Sequence, residues 1–238
     1  MSALPPPEPG LTACVVVPAH DEEEHVGACV QGLAAQRGIA PDAYEVILVL
    51  DRCADATGAR ARAAAARAPG LRLHVVDADA GGSGPARRTG MEIAAARLGA
   101  LGRGDGLIAS SDADTVVPPD WLARQLALVG AGAQAIGGLV ELDAGDLVPG
   151  VLARREGRLG ARTAALGGRD AEHPFFSGAS LALTLDAHRR VGGLPIRRDL
   201  EDQALAEALA AAGIPIVRSR AVRVRTSGRT RGRARHGL

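Results

Sequence analysis

The chain has 238 residues, 47% of them hydrophobic and 2% aromatic, with a mean hydropathy of +0.07. That composition supplies a full core of Ala, Val, Leu and Ile and excludes a disordered chain. Net charge is +1, and with no Lys or Asn all 28 basic residues are Arg, which excludes a Walker A loop, lysine Schiff-base chemistry and N-glycosylation.

Residues 1–10 read as a disordered lead-in without the charged and apolar regions of a signal peptide. Leu11–Pro18 is a continuous Val-rich run, as expected for a strand buried on both faces. Val26, Cys29, Val30 and Leu33 then recur at helical spacing behind Asp21, Glu22 and Glu23, which suit a helix N-terminus. Tyr44–Leu50 is a second strand, followed by an Ala-rich helix to about Ala68 with Asp55 and Thr57 as caps. Leu71–Val76 is a third strand, Pro85–Leu98 a third helix, and Leu107–Ser111 a fourth strand ending at Asp112. This alternation implies an α/β fold with a parallel, right-handed, Rossmann-like sheet.

Further along, Pro119–Val129 reads as a helix, Ala133–Leu142 as a strand and Val151–Leu166 as a helix. Phe175–Leu185 alternates like a strand, and Asp202–Ala212 is a helix ended by Gly213 and Pro215. Ile216–Val224 alternates apolar residues with Arg, the pattern of an edge strand with one wet face. No repeat or linker is visible, so residues 11–225 are expected to form one domain, with 226–238 as an Arg-rich tail. From Arg218 onward there are eight Arg and no acid, leaving the rest of the chain at −7. Such a tail suits phosphate, nucleic acid or an anionic surface, or is simply solvated. No apolar run reaches the length of a membrane span. Cys14, Cys29 and Cys53 fit no zinc spacing and read as buried thiols of a cytoplasmic protein.

Ligands of open parallel sheets bind at the carboxyl ends of the strands. Here those ends carry Pro18-Ala19-His20-Asp21-Glu22-Glu23, then Asp51, then Asp77 with the Gly81–Gly84 loop, then Asp112-Ala113-Asp114. So acidic a rim repels an anionic ligand unless a divalent cation intervenes, and aspartates at i and i+2 can face one hard cation together. Gly82-Ser83-Gly84 resembles the start of a dinucleotide loop, but Arg87 stands where the third Gly belongs, and the loop follows the third strand rather than the first. Arg87 and Arg88, opening a helix beside that loop, suit a diphosphate. His20 is a helix cap or a site residue, Trp121 is expected in the core, and His173 and His236 are expected to be structural or exposed.

The segments VVVPAHDEEEHV, VLDRCADAT, ARRTG, SSDADTVVPPDWL, FFSGASLALTLDAHRRVGGLP and DLEDQAL, in this order, resemble family-2 glycosyltransferases of the GT-A fold from about Cys14 to Arg229. The resemblance implies an αβα sandwich and an inverting transfer of one sugar from a UDP- or GDP-type donor to an acceptor hydroxyl. It places His20, Asp21, Glu22 and Asp51 at the base and ribose, with Pro18, Gly84, Arg87, Ala113, Gly178 and Glu201 completing the donor site. Asp112 and Asp114 would hold Mg2+ or Mn2+ on the diphosphate, and Asp202 would be the catalytic base. Some GT-A enzymes also use a C-terminal histidine on the metal, which here would be His236. The chain departs from the family at His20, where Asn is common, at Asp51-Arg52-Cys53-Ala54, where Asp-Asp-Gly-Ser is frequent, and at Arg88, another common Asn. The Gln-x-x-Arg-Trp motif of processive synthases is absent, which favours single addition. No nucleic-acid partner is expected, and the tail offers a peripheral membrane contact. The alternatives are a sugar-phosphate nucleotidyltransferase, which would carry its Gly-rich loop after strand one and usually a Lys, and a catalytically inactive nucleotide-binding or scaffolding module.

Overall fold

The computed structural model describes residues 4–143, 172–197 and 200–228. The elements run β1 (Ala13–Ala19), α1 (Val26–Ala34), β2 (Tyr44–Asp51), α2 (Thr57–Ala66), β3 (Leu73–Ala78), α3 (Ser83–Ala100), β4 (Leu107–Ser110) and β5 (Thr115–Val116). They continue with α4 (Trp121–Gly130), β6 (Ala135–Leu142), a 3-10 turn (Gly178–Ser180), β7 (Leu181–Thr184), α5 (Leu185–Arg190), α6 (Glu201–Ala211) and β8 (Ile216–Thr226).

One eight-stranded sheet holds them in the order β3-β2-β1-β4-β7-β6-β8-β5. β1 lies between β2 and β4, parallel to both, with Val16 opposite Ile47 and Ser110. β7 enters antiparallel between β4 and β6. β6 and β8 pair in parallel.

The apolar runs sort by side-chain parity. Val15, Val17, Val46 and Leu48 join α1, α2 and α4 in one core, while Val16, Ile47 and Val49 join α3, α5 and α6 in another. Burial on both faces is why these strands read as unbroken runs. With few aromatics, closeness replaces bulk: a Cβ on Gly90 of α3 would lie 2.3 Å from Val16 Cγ1. Trp121 is buried as expected and donates from Nε1 to Ser180 Oγ at 3.3 Å.

One polar group breaks the apolar run of β2. Glu45 is 1% exposed and receives both Nε and Nη2 of Arg97, the latter at 2.7 Å. His74 Nε2 lies 3.1 Å from its carboxylate, and the Cys14 thiol donates to it at 3.4 Å. Burial alone would raise the Glu45 pKa, but the bonds from His74 and Arg97 bring it down to about 2. The network ties α3 to β2 and β3.

Three details depart from the sequence reading. Phe175–Leu185 is not one strand: Thr184 caps a new helix by accepting from the Ala187 N–H at 3.2 Å, so β7 stops after four residues. β5 is an added two-residue strand on β8, which therefore is not the outermost strand, although its bond to β5 covers only Arg225 and Thr226. Cys53 is half-buried rather than a core thiol. His173 is fully buried, in keeping with the structural alternative. The helix expected at Val151–Leu166 lies outside the described residues, as does the tail from Arg229.

Candidate active site

The loops leaving β1, β2 and β3 are stitched together by side chains that accept backbone N–H groups. Asp51, at the end of β2, is 2% exposed, and its carboxylate accepts from Ala80 N at 2.8 Å, Gly81 N at 3.1 Å and Gly82 N at 2.7 Å. Its pKa lies below the ordinary value: burial would raise it, but the three amides and Arg52 outweigh that. Gly81 and Gly82 have φ of 84° and 147°, which lets their amides turn toward one carboxylate without steric cost. His20 Nδ1 donates to the Asp51 carbonyl at 2.6 Å.

Asp21, with φ 52°, accepts from Ala54 N at 2.7 Å and Asp55 N at 3.3 Å. The Glu22 N–H donates to Thr57 Oγ1 at 2.7 Å, and the Glu23 N–H donates to Asp55 at 3.0 Å. Asp21, Cys53 and Asp55 have ligand atoms within 4.8 Å of one another. Both carboxylates already serve these backbone groups, so the trio is a clasp between two loops.

The second half of the site centres on Arg87, the fifth residue of α3. Its guanidinium donates to Asp112 Oδ1 at 2.8 Å, to Glu201 Oε1 at 3.3 Å, to the Gly178 carbonyl at 3.0 Å and to Ser110 Oγ. A buried guanidinium needs such acceptors. Burial would lower its pKa, but Asp112 and Glu201 raise it overall. Arg88 is half-buried and donates to the Leu194 carbonyl and to the exposed Glu92 at 2.7 Å. Of the two arginines expected beside a diphosphate, Arg87 therefore donates to four protein acceptors and Arg88 to two.

Leu181 of β7 pairs with Ser110 of β4, which sets the Gly178–Ser180 turn beside the Asp112-Ala113-Asp114 turn. Beneath them the buried Cys29 thiol donates to the Asp112 carbonyl at 3.5 Å. Its pKa is raised by burial first and then by Asp114, Asp112 and Glu22, so those three carboxylates act on one point. Asp114 accepts from Thr226 Oγ1 at 3.2 Å, and its carbonyl accepts from Ser227 N. Asp202 is half-buried, and its Oδ1 accepts from Gln203 N at 2.7 Å. Pro18 and Ala113 are buried supports, while His20 is exposed.

The structure thus joins Gly84, Arg87, Asp112, Gly178 and Glu201 in one cluster and Asp21, Glu22 and Asp51 in the adjoining loop clasp. Sequence reasoning missed Ser110, Thr226 and the three amides at Ala80–Gly82. Ser110 could have been noticed as a small polar residue ending an apolar strand. Thr226 had no local signal.

Residues 9–232 match the family model described as glycosyltransferase like family 2. No curated protein matches the chain in sequence. Among solved structures, S. aureus TarS 1–349 in complex with UDP-GlcNAc superposes with TM-score 0.71 at 16% identity, covering 96% of this chain and 62% of that one. The mannosyltransferase PcManGT from Pyrobaculum calidifontis, in complex with GDP-Man and Mn2+, gives TM-score 0.68 at 21% identity over 95% of this chain and 60% of that one. This chain therefore spans less than two thirds of the length of either. The likeness shows the fold, a GT-A sheet with helices on both faces.

Proposed function

The chain belongs to the glycosyltransferase-like family 2, and on that premise we propose that it transfers a single sugar from a UDP- or GDP-type donor to an acceptor hydroxyl, with inversion. The observation that carries this is the shared position of the Asp112–Asp114 turn, the Gly178 turn and the Glu201-Asp202 helix start around Arg87. A donor end and an acceptor end meet there.

Asp112 and Asp114 present only oxygen donors, which suits a hard cation such as Mg2+ or Mn2+. Arg87 engages one carboxylate oxygen of Asp112 and leaves the other without a hydrogen bond among the described residues. Those two aspartates would hold the ion, and when bound it would neutralise charge developing on the leaving diphosphate. His20 and the Asp21–Glu22 loop border the nucleoside, and Asp51 shapes the neighbouring Ala80–Gly82 loop by accepting its three backbone N–H groups.

Asp202 takes the proton of the acceptor hydroxyl. The hydroxyl oxygen then bonds to the anomeric carbon from the face opposite the diphosphate, whose bond to that carbon breaks. Nucleoside diphosphate leaves, and the configuration inverts. Asp202 stands at a helix start and, among the described residues, makes one local hydrogen bond that leaves its second oxygen for a hydroxyl.

The test separates chemistry from binding. A positioned base contributes roughly 10²–10⁴-fold to rate. Asp202→Asn should lower UDP or GDP release from a nucleotide sugar by that order, with water as acceptor, while nucleotide affinity stays near wild type. Full turnover in Asp202→Asn, or loss of nucleotide binding, contradicts the assignment.

No described helix is long and apolar enough to cross a membrane. His236 and the remainder of the Arg-rich tail lie outside the described residues.

A further inference from the structure

Arg87 has no exposed work to do. Its side chain is 3% exposed, and four of the five N–H bonds of its guanidinium end on protein acceptors. Those acceptors come from four places: the last residue of β4 (Ser110), the metal turn (Asp112), the 3-10 turn before β7 (Gly178) and the first residue of α6 (Glu201).

Two glycines keep the room this requires. A Cβ at Gly178 would lie 2.3 Å from Arg87 Nη2 and 2.5 Å from Cζ. A Cβ at Gly84 would lie 2.8 Å from the Arg197 carbonyl and 3.3 Å from the Glu201 carboxylate. The first turn of α3 and the start of α6 therefore touch directly as well as through the ion pair.

The start of α6 needs that hold. Leu200, just before it, is 59% exposed, has φ 59° and gives the helix no side-chain cap. Glu201 is 8% exposed, whereas its neighbour Asp202 is half-buried. Residues 201 and 202 differ by about 100° around the helix, so anchoring one fixes the heading of the other.

We infer that Arg87 is a positioning residue: through Glu201 it sets Asp202 relative to the Asp112 end of the site, and it does not bind the donor diphosphate. The inference rests on the functional reading above. A planar guanidinium can span two carboxylates, a carbonyl and a hydroxyl in one plane, and a lysine at this site would offer a single nitrogen in place of three.

The experiment uses the full chain with UDP- and GDP-hexoses, reading nucleoside diphosphate release to water, nucleotide affinity by calorimetry, and hydrogen exchange along α6. Glu201→Gln keeps the shape and removes one charge. It should lower kcat by up to about 10²-fold, the scale of a reacting group misplaced by 1 Å. Donor KM and nucleotide affinity should stay within about threefold. Amides from Ala204 onward, the first to be bonded within α6, should exchange faster. Arg87→Lys should do at least as much to kcat, and adding Glu201→Gln to it should cost little more, since both act through one contact.

Three results overturn the inference: wild-type kcat in Glu201→Gln, a nucleotide affinity that falls in step with kcat, or variants that only melt earlier while turnover per folded molecule is unchanged. Should Arg87→Lys fail to fold, Ser110→Ala and Glu201→Gln carry the same comparison. If wild-type protein binds no nucleoside diphosphate, the functional reading fails. Exchange in α6 then decides the positioning claim alone, and unchanged protection in Glu201→Gln refutes it.

Discussion

Replacing Glu45 by Gln removes the one charge in the middle of β2 while keeping its shape. In the wild type the carboxylate is 1% exposed and held by Arg97 and His74, with its pKa brought down to about 2 from an ordinary 4.5. A group whose folded pKa is depressed contributes stability above its unfolded pKa and loses it as pH falls through the folded one. A displacement of that size corresponds to about 3 kcal/mol at pH 7, falling to about 1 kcal/mol at pH 3. Breaking a buried pair by removing one partner costs about 3–5 kcal/mol, which agrees in scale. Urea unfolding of wild type and Glu45→Gln at the two pH values measures both numbers. The variant should be less stable at pH 7 by about 3 kcal/mol, with the gap narrowing by more than half at pH 3. A gap below about 1 kcal/mol at pH 7, or one that does not change with pH, would refute the reasoning.

Other substitutions follow from the same contacts. Gly90→Ala should destabilise by about 1–3 kcal/mol, because its Cβ would meet the stiff Val16 side chain at 2.3 Å and outweigh the usual helix gain of Ala over Gly. A rise in Tm would show that α3 can move off β1. Asp51→Ala strands the amides of Ala80, Gly81 and Gly82 and should cost about 1–3 kcal/mol and weaken nucleotide binding through the disordered loop. Asp51→Asn, which keeps an acceptor oxygen, should fall between; equal melting of Asp51→Ala and wild type would contradict the loop-shaping role.

The parallel half of the fold was legible because its strands are buried on both faces, so Leu11–Pro18 and Tyr44–Leu50 stand out as apolar runs. The acidic residues that end or follow β1, β2 and β4 do lie together at the carboxyl ends of these parallel strands. What stayed hidden depended on partners distant in sequence. Arg87 reads as a free basic residue at a helix start, and only the fold brings it Asp112 and Glu201, 25 and 114 residues away. The partners of Asp51 were hidden for the same reason, being backbone amides of another loop. Alternation in Phe175–Leu185 fits a strand until Thr184 caps a helix, a choice set by the bond it makes rather than by hydropathy. β5 has two residues, too few for any period to show.

The central claim is that Asp112 and Asp114 join a divalent cation to a nucleoside diphosphate. Calorimetric titration of UDP and GDP into the protein, with Mn2+ and then with EDTA, tests it most directly. Saturable binding of at least one nucleotide should require Mn2+ and vanish in Asp114→Ala, while that variant keeps its fold by circular dichroism. Binding of equal strength in EDTA, or full binding by Asp114→Ala, would contradict the account.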